Sequence, residues 1–183
     1  MPEAHTVTSY DDELRFLVRR LSEMGGIAER MVADAVAALV NADAALAQRV
    51  ISEDLLLDNG EREIYDKAVL VIAKRQPMAS DLREIIGSIR IASDLERVGD
   101  LGKNIAKRVI SIHTMPQPKK LVRGLEHLSE LALTQLKEVL DAFSSHSAEQ
   151  ANSIRERDEE IDAIYTSLFR ELLTYMMEDP RNI

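Results

Sequence analysis

Three pairs of acidic side chains stand four residues apart beside apolar stripes: Asp54 and Asp58, Glu96 and Asp100, and Asp158 and Asp162. On a helix that spacing stacks two carboxylates one turn apart, about 6 Å from each other. Such a pair can chelate one hard cation, and a neighbouring helix about 8–10 Å away can bring a second pair to it. Without a cation between them, like charges at this spacing repel. Asn104, one turn beyond Asp100, extends the strip with an amide oxygen. Acids fill 32 of 183 positions, so roughly five such pairs are expected from composition in a helical chain. Arg62, Arg97, Arg155 and Arg157 stand near enough to make ordinary surface ion pairs. Spacing alone leaves a cation site and a solvated acidic strip both open.

Other chemistries find less support. There is no Cys, which excludes disulfides, zinc–thiolate sites and iron–sulfur clusters. None of the four histidines (His5, His113, His127, His146) follows a Glu by three, so the Glu-x-x-His signature of di-iron bundles is missing. There is no Gly-x-x-x-x-Gly-Lys loop to cradle phosphates. A net charge of −9 with no Trp and 4% aromatics argues against nucleic acid, whose backbone it repels and whose bases it cannot stack. The longest apolar run, Ala68 to Ala73, is far short of the roughly 20 residues of a membrane span. Acidic residues 11–13 occupy the place of a signal peptide's apolar stretch. These features predict a soluble, cytoplasmic protein with no direct membrane insertion.

The elements that must position the acids are five long helices. Apolar residues at helical spacing predict them over about Tyr10–Val40, Ala44–Lys74, Ser80–Ile112, Lys119–Phe143 and Ala148–Met177. Asp43 is placed to cap the second helix, Ser80 or Asp81 the third, and Ser147-x-x-Gln150 reads as a capping box for the fifth. Pro77, the Pro116/Pro118 linker and Asp179-Pro180 punctuate the pattern. Gly25-Gly26 reads as a close-packing point. Leu125, Leu128, Ala132, Leu136, Val139 and Leu140 of the fourth helix, and Ile154, Ile161, Ile164, Leu168, Leu172 and Tyr175 of the fifth, are expected to face inward. Lys74-Arg75-Gln76 forms a basic helix end. It compensates the helix dipole or, with Arg83, offers a docking corner to an acidic partner.

Sliding the chain on itself by about 104 residues aligns Asp54 with Asp158, Asp58 with Asp162, Leu39 with Phe143 and Ala47 with Ala151. Helices four and five thus repeat helices one and two. The predicted class is all-α, built from tandem three-helix bundles. The first covers residues 1–115, and residues 116–183 supply the first two helices of the second.

Three strings carry a family resemblance: Ala73-Lys74-Arg75-Gln76-Pro77 followed by Ser80-Asp81-Leu82-Arg83; Asp94-Leu95-Glu96-Arg97-Val98-Gly99-Asp100 with Asn104-Ile105; and Leu173-Thr174-Tyr175-Met176-Met177-Glu178-Asp179. They resemble the PhoU family of phosphate-transport regulators. The resemblance implies transition-metal clusters, iron first, with manganese or zinc as alternatives. Their ligands would be Asp54, Asp58, Glu96 and Asp100, and in a second site Asp158 and Asp162. It also implies a sixth helix with a fourth acidic pair, which would lie beyond Ile183. The implied role is to couple the ATPase subunit of a phosphate ABC transporter to a phosphate-sensing histidine kinase, repressing the starvation response. A homo-oligomer is expected. Two other readings stay open: a metal-storage or di-iron oxidase bundle, and a metal-free helical scaffold.

Overall fold

The computed structural model describes residues 8–112 and 119–178, and within them all regular structure is helical. The helices are α1 (Thr8–Asn41), α2 (Ala44–Arg75), α3 (Ala79–Ile112), α4 (Lys119–Ser144), α5 (Ala148–Glu156) and α6 (Asp158–Glu178). The Pro116/Pro118 linker and the Asp179-Pro180 stop lie outside the described residues.

Helices α1, α2 and α3 pack on one another around a core in strict three–four spacing. On α1 it is Leu17, Leu21, Met24, Ala28, Met31, Ala35 and Ala38, all fully buried. Ala47, Val50, Leu57, Ile64, Ala68 and Val71 answer from α2, and Ile85, Ala92, Leu95, Ala106 and Val109 from α3. Seven-residue recurrence keeps one seam of each helix turned to its neighbours over more than four turns. Each large core side chain contributes about 1.5–3 kcal/mol of transfer free energy. Methionines 24 and 31 fill gaps in this interior.

Helix α4 lies against α1 and also contacts α5 and α6. The crossing point is Gly25, where a Cβ would stand 2.3 Å from Cδ1 of Leu140. The close-packing role expected of Gly25 is therefore met, with Leu136, Leu140 and Phe143 resting on the core. Other inward expectations for the second half fail. Leu125, Ala132, Val139 and Leu172 are exposed, because among the described residues α5 and α6 contact only α4 and each other.

The turns carry the repeat into three dimensions. Ala42 and His146 both take left-handed φ, 52° and 53°. The Asp43 and Ser147 amides each donate to a carbonyl five residues back, at 2.9 Å. Asp43 then accepts from the Leu46 amide and Ser147 from the Gln150 amide, as their side-chain types require. Only half of the expected capping box forms, since the Gln150 side chain meets Ser145 instead. Two further expectations are corrected. Helix α3 begins at Ala79, so neither Ser80 nor Asp81 precedes it as a cap, and Asp81 accepts a hydrogen bond from the Tyr10 hydroxyl at 3.0 Å. The fifth predicted helix is interrupted at Arg157, whose amide donates to the Ile154 carbonyl at 3.1 Å and also faces the Arg155 carbonyl, a local 3₁₀-type bond in place of the helical one.

Candidate metal and carboxylate seam between α2 and α3

The site begins with a glycine. A Cβ on Gly99 would stand 2.1 Å from Cδ1 of Leu57. The missing side chain lets Leu57 seat itself on α3, and Leu57 is completely buried there. Asp54 and Asp58 flank Leu57 on α2, while Glu96 and Asp100 flank Gly99 on α3. This one contact therefore sets the register that turns the two acidic pairs toward each other. All four are half-buried, at the rim of the core rather than in open solvent.

The electrostatics report the same closeness. The Glu96 carboxyl is pushed above its ordinary range, first by burial, then by the negative charges of Asp100, Glu61, Asp58 and Asp54. Desolvation and like charge both disfavour the ionised form. One cation answers this crowd. The Lys103 ammonium donates to Oδ2 of Asp54 at 2.5 Å and also pairs with Asp100 on its own helix. Those two carboxylates hold the lysine protonated well above its usual range, against the opposing pull of burial.

Two residues of this seam escape a search for acid pairs. Glu61 continues the three–four spacing of α2 after Asp54 and Leu57, so both acids occupy positions where the stripe calls for apolar side chains. Lys103 follows Glu96 by seven and Asp100 by three, which puts it on the same face of α3. Counting heptads for polar intruders and their counter-ions would have found both. Of the arginines named as neutralising partners, Arg157 pairs with Glu138 instead, and Arg62 lines a groove with Glu61, Tyr65 and Ile89.

The remaining candidates are dispersed. Asp158 and Asp162 are exposed on α6, which contacts neither α2 nor α3 among the described residues. Asn104 is also exposed. At the basic corner, Arg75 donates from Nε to Glu13 on α1 at 2.9 Å, so this side chain braces two helices. Gln76 ends α2 in the left-handed conformation (φ 51°), its amide bonded to the Ile72 carbonyl. Gln76 and Arg83 are exposed.

A transition metal is tested against this donor set as follows. Four carboxylates from two adjoining helices are oxygen donors of the type manganese and iron accept, so the chemistry of the ligands fits. Their arrangement is not gathered on a point, and no three acids or histidines among the described residues converge closely enough to hold one ion. The place between Asp54 and Asp100 is taken by the lysine ammonium.

Known proteins share this architecture. The PhoU domain family matches residues 21–109 and 125–183. A phosphate-specific transport system accessory protein PhoU homolog from Rhizobium meliloti is 73% identical over all 183 residues, which span 77% of that protein. The crystal structure of PhoU from Pseudomonas aeruginosa superposes with a TM-score of 0.90 at 39% identity, over 94% of this chain and 83% of that one. The phosphate transport system regulatory protein PhoU from Streptococcus pneumoniae gives 0.85 at 30% identity, over 93% and 80%. With the helical architecture, the family match and these likenesses in agreement, the chain belongs to the PhoU family.

Proposed function

We propose that this chain is a non-catalytic, cytoplasmic accessory protein of phosphate-specific transport. It represses phosphate uptake and the starvation response when phosphate is ample, by coupling the transporter's ATPase subunit to a phosphate-sensing histidine kinase. The observation that carries this reading is the 73% identity, over all 183 residues of this chain, to the Rhizobium meliloti accessory protein. No helix among the described residues is long and apolar enough to cross a membrane. The test is complementation. In Rhizobium meliloti lacking its own homolog, this chain should restore repression of a phosphate-starvation reporter at high phosphate. A reporter that stays fully induced despite stable expression overturns the reading.

In this proposal Asp54, Asp58, Glu96 and Asp100 hold a transition-metal ion, iron in the first place, manganese or zinc otherwise. A bound ion would supply positive charge that relieves the repulsion of the seam and clamps α2 to α3. Asp158 and Asp162 would need donors from another helix to form a second site. Residues 1–115 and 116–183 are read as two units. The exposed Leu125, Val139, Tyr165, Phe169 and Leu172 support association with a second copy. The Lys103 pairing favours a second reading, a scaffold whose acids need no metal. Elemental analysis separates the two: wild-type protein should carry more iron, manganese or zinc than Glu96→Ala/Asp100→Ala. Equal contents would leave the scaffold.

A further inference from the structure

We propose that the outer groove between α2 and α3 docks one amphipathic helix of a partner protein, apolar at one end and basic at the other. The inference rests on the accessory-protein reading for the existence of a partner. It adds the chemistry by which that partner is held.

The contact of Asp54 with Lys103 and the hollow shared by Glu61, Tyr65 and Ile89 fix the register: as α2 runs on, α3 runs back. Successive turns then bring Tyr65, Val69 and Ile72 of α2 opposite Leu82, Ile86 and Ile89 of α3. Ile72 and Ile89 rest on the core as a floor. Tyr65, Val69, Leu82 and Ile86 stand exposed along the two edges. A hollow of about 280 Å³ opens between Tyr65 and Ile89, where Arg62 and Asp66 offset each other in charge. Helices α4, α5 and α6 contact neither α2 nor α3 among the described residues, so the groove lies open there.

Charge selects the occupant. Beyond Tyr65 the groove turns acidic, with Asp54, Asp58, Glu61, Glu96 and Asp100 sharing the stretch with one lysine, Lys103. A helix seated on the apolar floor buries its own apolar residues against Val69 and Ile86. Its Lys or Arg residues two turns on meet the surplus carboxylates. From Ile72 back to Asp54, α2 offers roughly 27 Å, about five turns. An acidic helix is repelled by the same stretch, as is an anionic membrane surface.

The experiment uses two fluorescent five-turn helical peptides. They share a leucine-based apolar half and differ in the other half, lysine in one and glutamate in the other. Anisotropy against the purified chain at low salt should show the lysine peptide binding about tenfold or more tightly, the difference shrinking as salt is added. Equal binding overturns the charge assignment, and no binding of the lysine peptide overturns the groove. Val69→Ser/Ile86→Ser should weaken the lysine peptide about tenfold. Leu56→Ser/Leu70→Ser should leave it unchanged, because those equally exposed leucines lie round the far side of α2 by helical pitch. Equal weakening by both overturns the location. In the reporter strain, Val69→Ser/Ile86→Ser should leave the starvation reporter induced where the wild-type chain represses it. Equal repression overturns the groove while the accessory reading stands; failure of the wild-type chain overturns that reading instead.

Discussion

The acidic pairs on α2 and α6 share one spacing, and the repeat superimposes them in sequence, yet their surroundings differ. Asp54 and Asp58 ride a continuous helix pressed onto α3, facing Glu96 and Asp100 with Lys103 between. Asp158 begins a helix just after the helical run is interrupted at Arg157, and Asp162 lines an open hollow beside Arg170. A carboxylate pair becomes electrostatically consequential only where another helix removes its water and adds charge. Helical pitch supplies two donors; packing supplies the other two.

Both regions also rest on a helix-crossing glycine, and here the comparison is easiest to break. A Cβ on Gly124 of α4 would meet Cδ1 of Leu168 at 2.1 Å, as one on Gly99 meets Leu57. Leu57 is locked in the core, whereas Leu168 is only half-buried, which leaves its side chain more room to shift. Gly99→Ala should therefore cost about 1–3 kcal/mol. Gly124→Ala should be near neutral, the gain of about 1 kcal/mol in helix propensity offsetting the strain. Urea midpoints at constant m-value decide it. Equal losses would mean the second half is as tightly packed as the first.

Removing the seam's cation comes next in size. Lys103→Met in metal-free protein should lose about 1–2 kcal/mol, since two carboxylates lose a charged partner at a poorly solvated interface. Asp158→Asn with Asp162→Asn should stay within about 0.5 kcal/mol. Thermal unfolding at low ionic strength measures both. A larger effect from the α6 pair would reverse the contrast drawn here.

The smallest expected effect concerns acid. Glu13 of α1 is held below its ordinary value of 4.5, chiefly by the Arg75 hydrogen bond, against the opposing pull of burial, with the charges of Lys67 and Arg75 adding to the lowering. A lowered carboxyl adds stability above its unfolded value and loses it as pH falls through the folded one. Wild type should thus weaken progressively as pH falls from about 5, and Glu13→Gln should flatten that limb. The Glu138–Arg157 pair on the second half is exposed, and Arg157→Ala should change stability by less than about 0.5 kcal/mol at any pH. Stability curves from pH 3 to 7 would expose either error.

Much of this was legible because it is local. Asp43 and Ser147 caps follow from residue type, and the α1 to α3 core follows from seven-residue recurrence read one helix at a time. The interruption at Arg157 was not legible, since no Gly or Pro marks it and Glu138 holds the guanidinium from another helix. Nor were the exposed Leu125 and Val139, whose apolar spacing is that of a core face with no neighbour described against it. Within the seam, the sequence by itself determined the pitch of each acid pair and put Lys103 on the face of Glu96 and Asp100. Only the tertiary structure decided that Leu57 would enter the space above Gly99, that Asp54 would thereby meet Lys103, and that Asp158 would stay exposed on α6, away from α2 and α3 among the described residues. The reason is physical: periodicity orients a side chain about its own axis, while burial and charge partners come from whichever helix packs alongside.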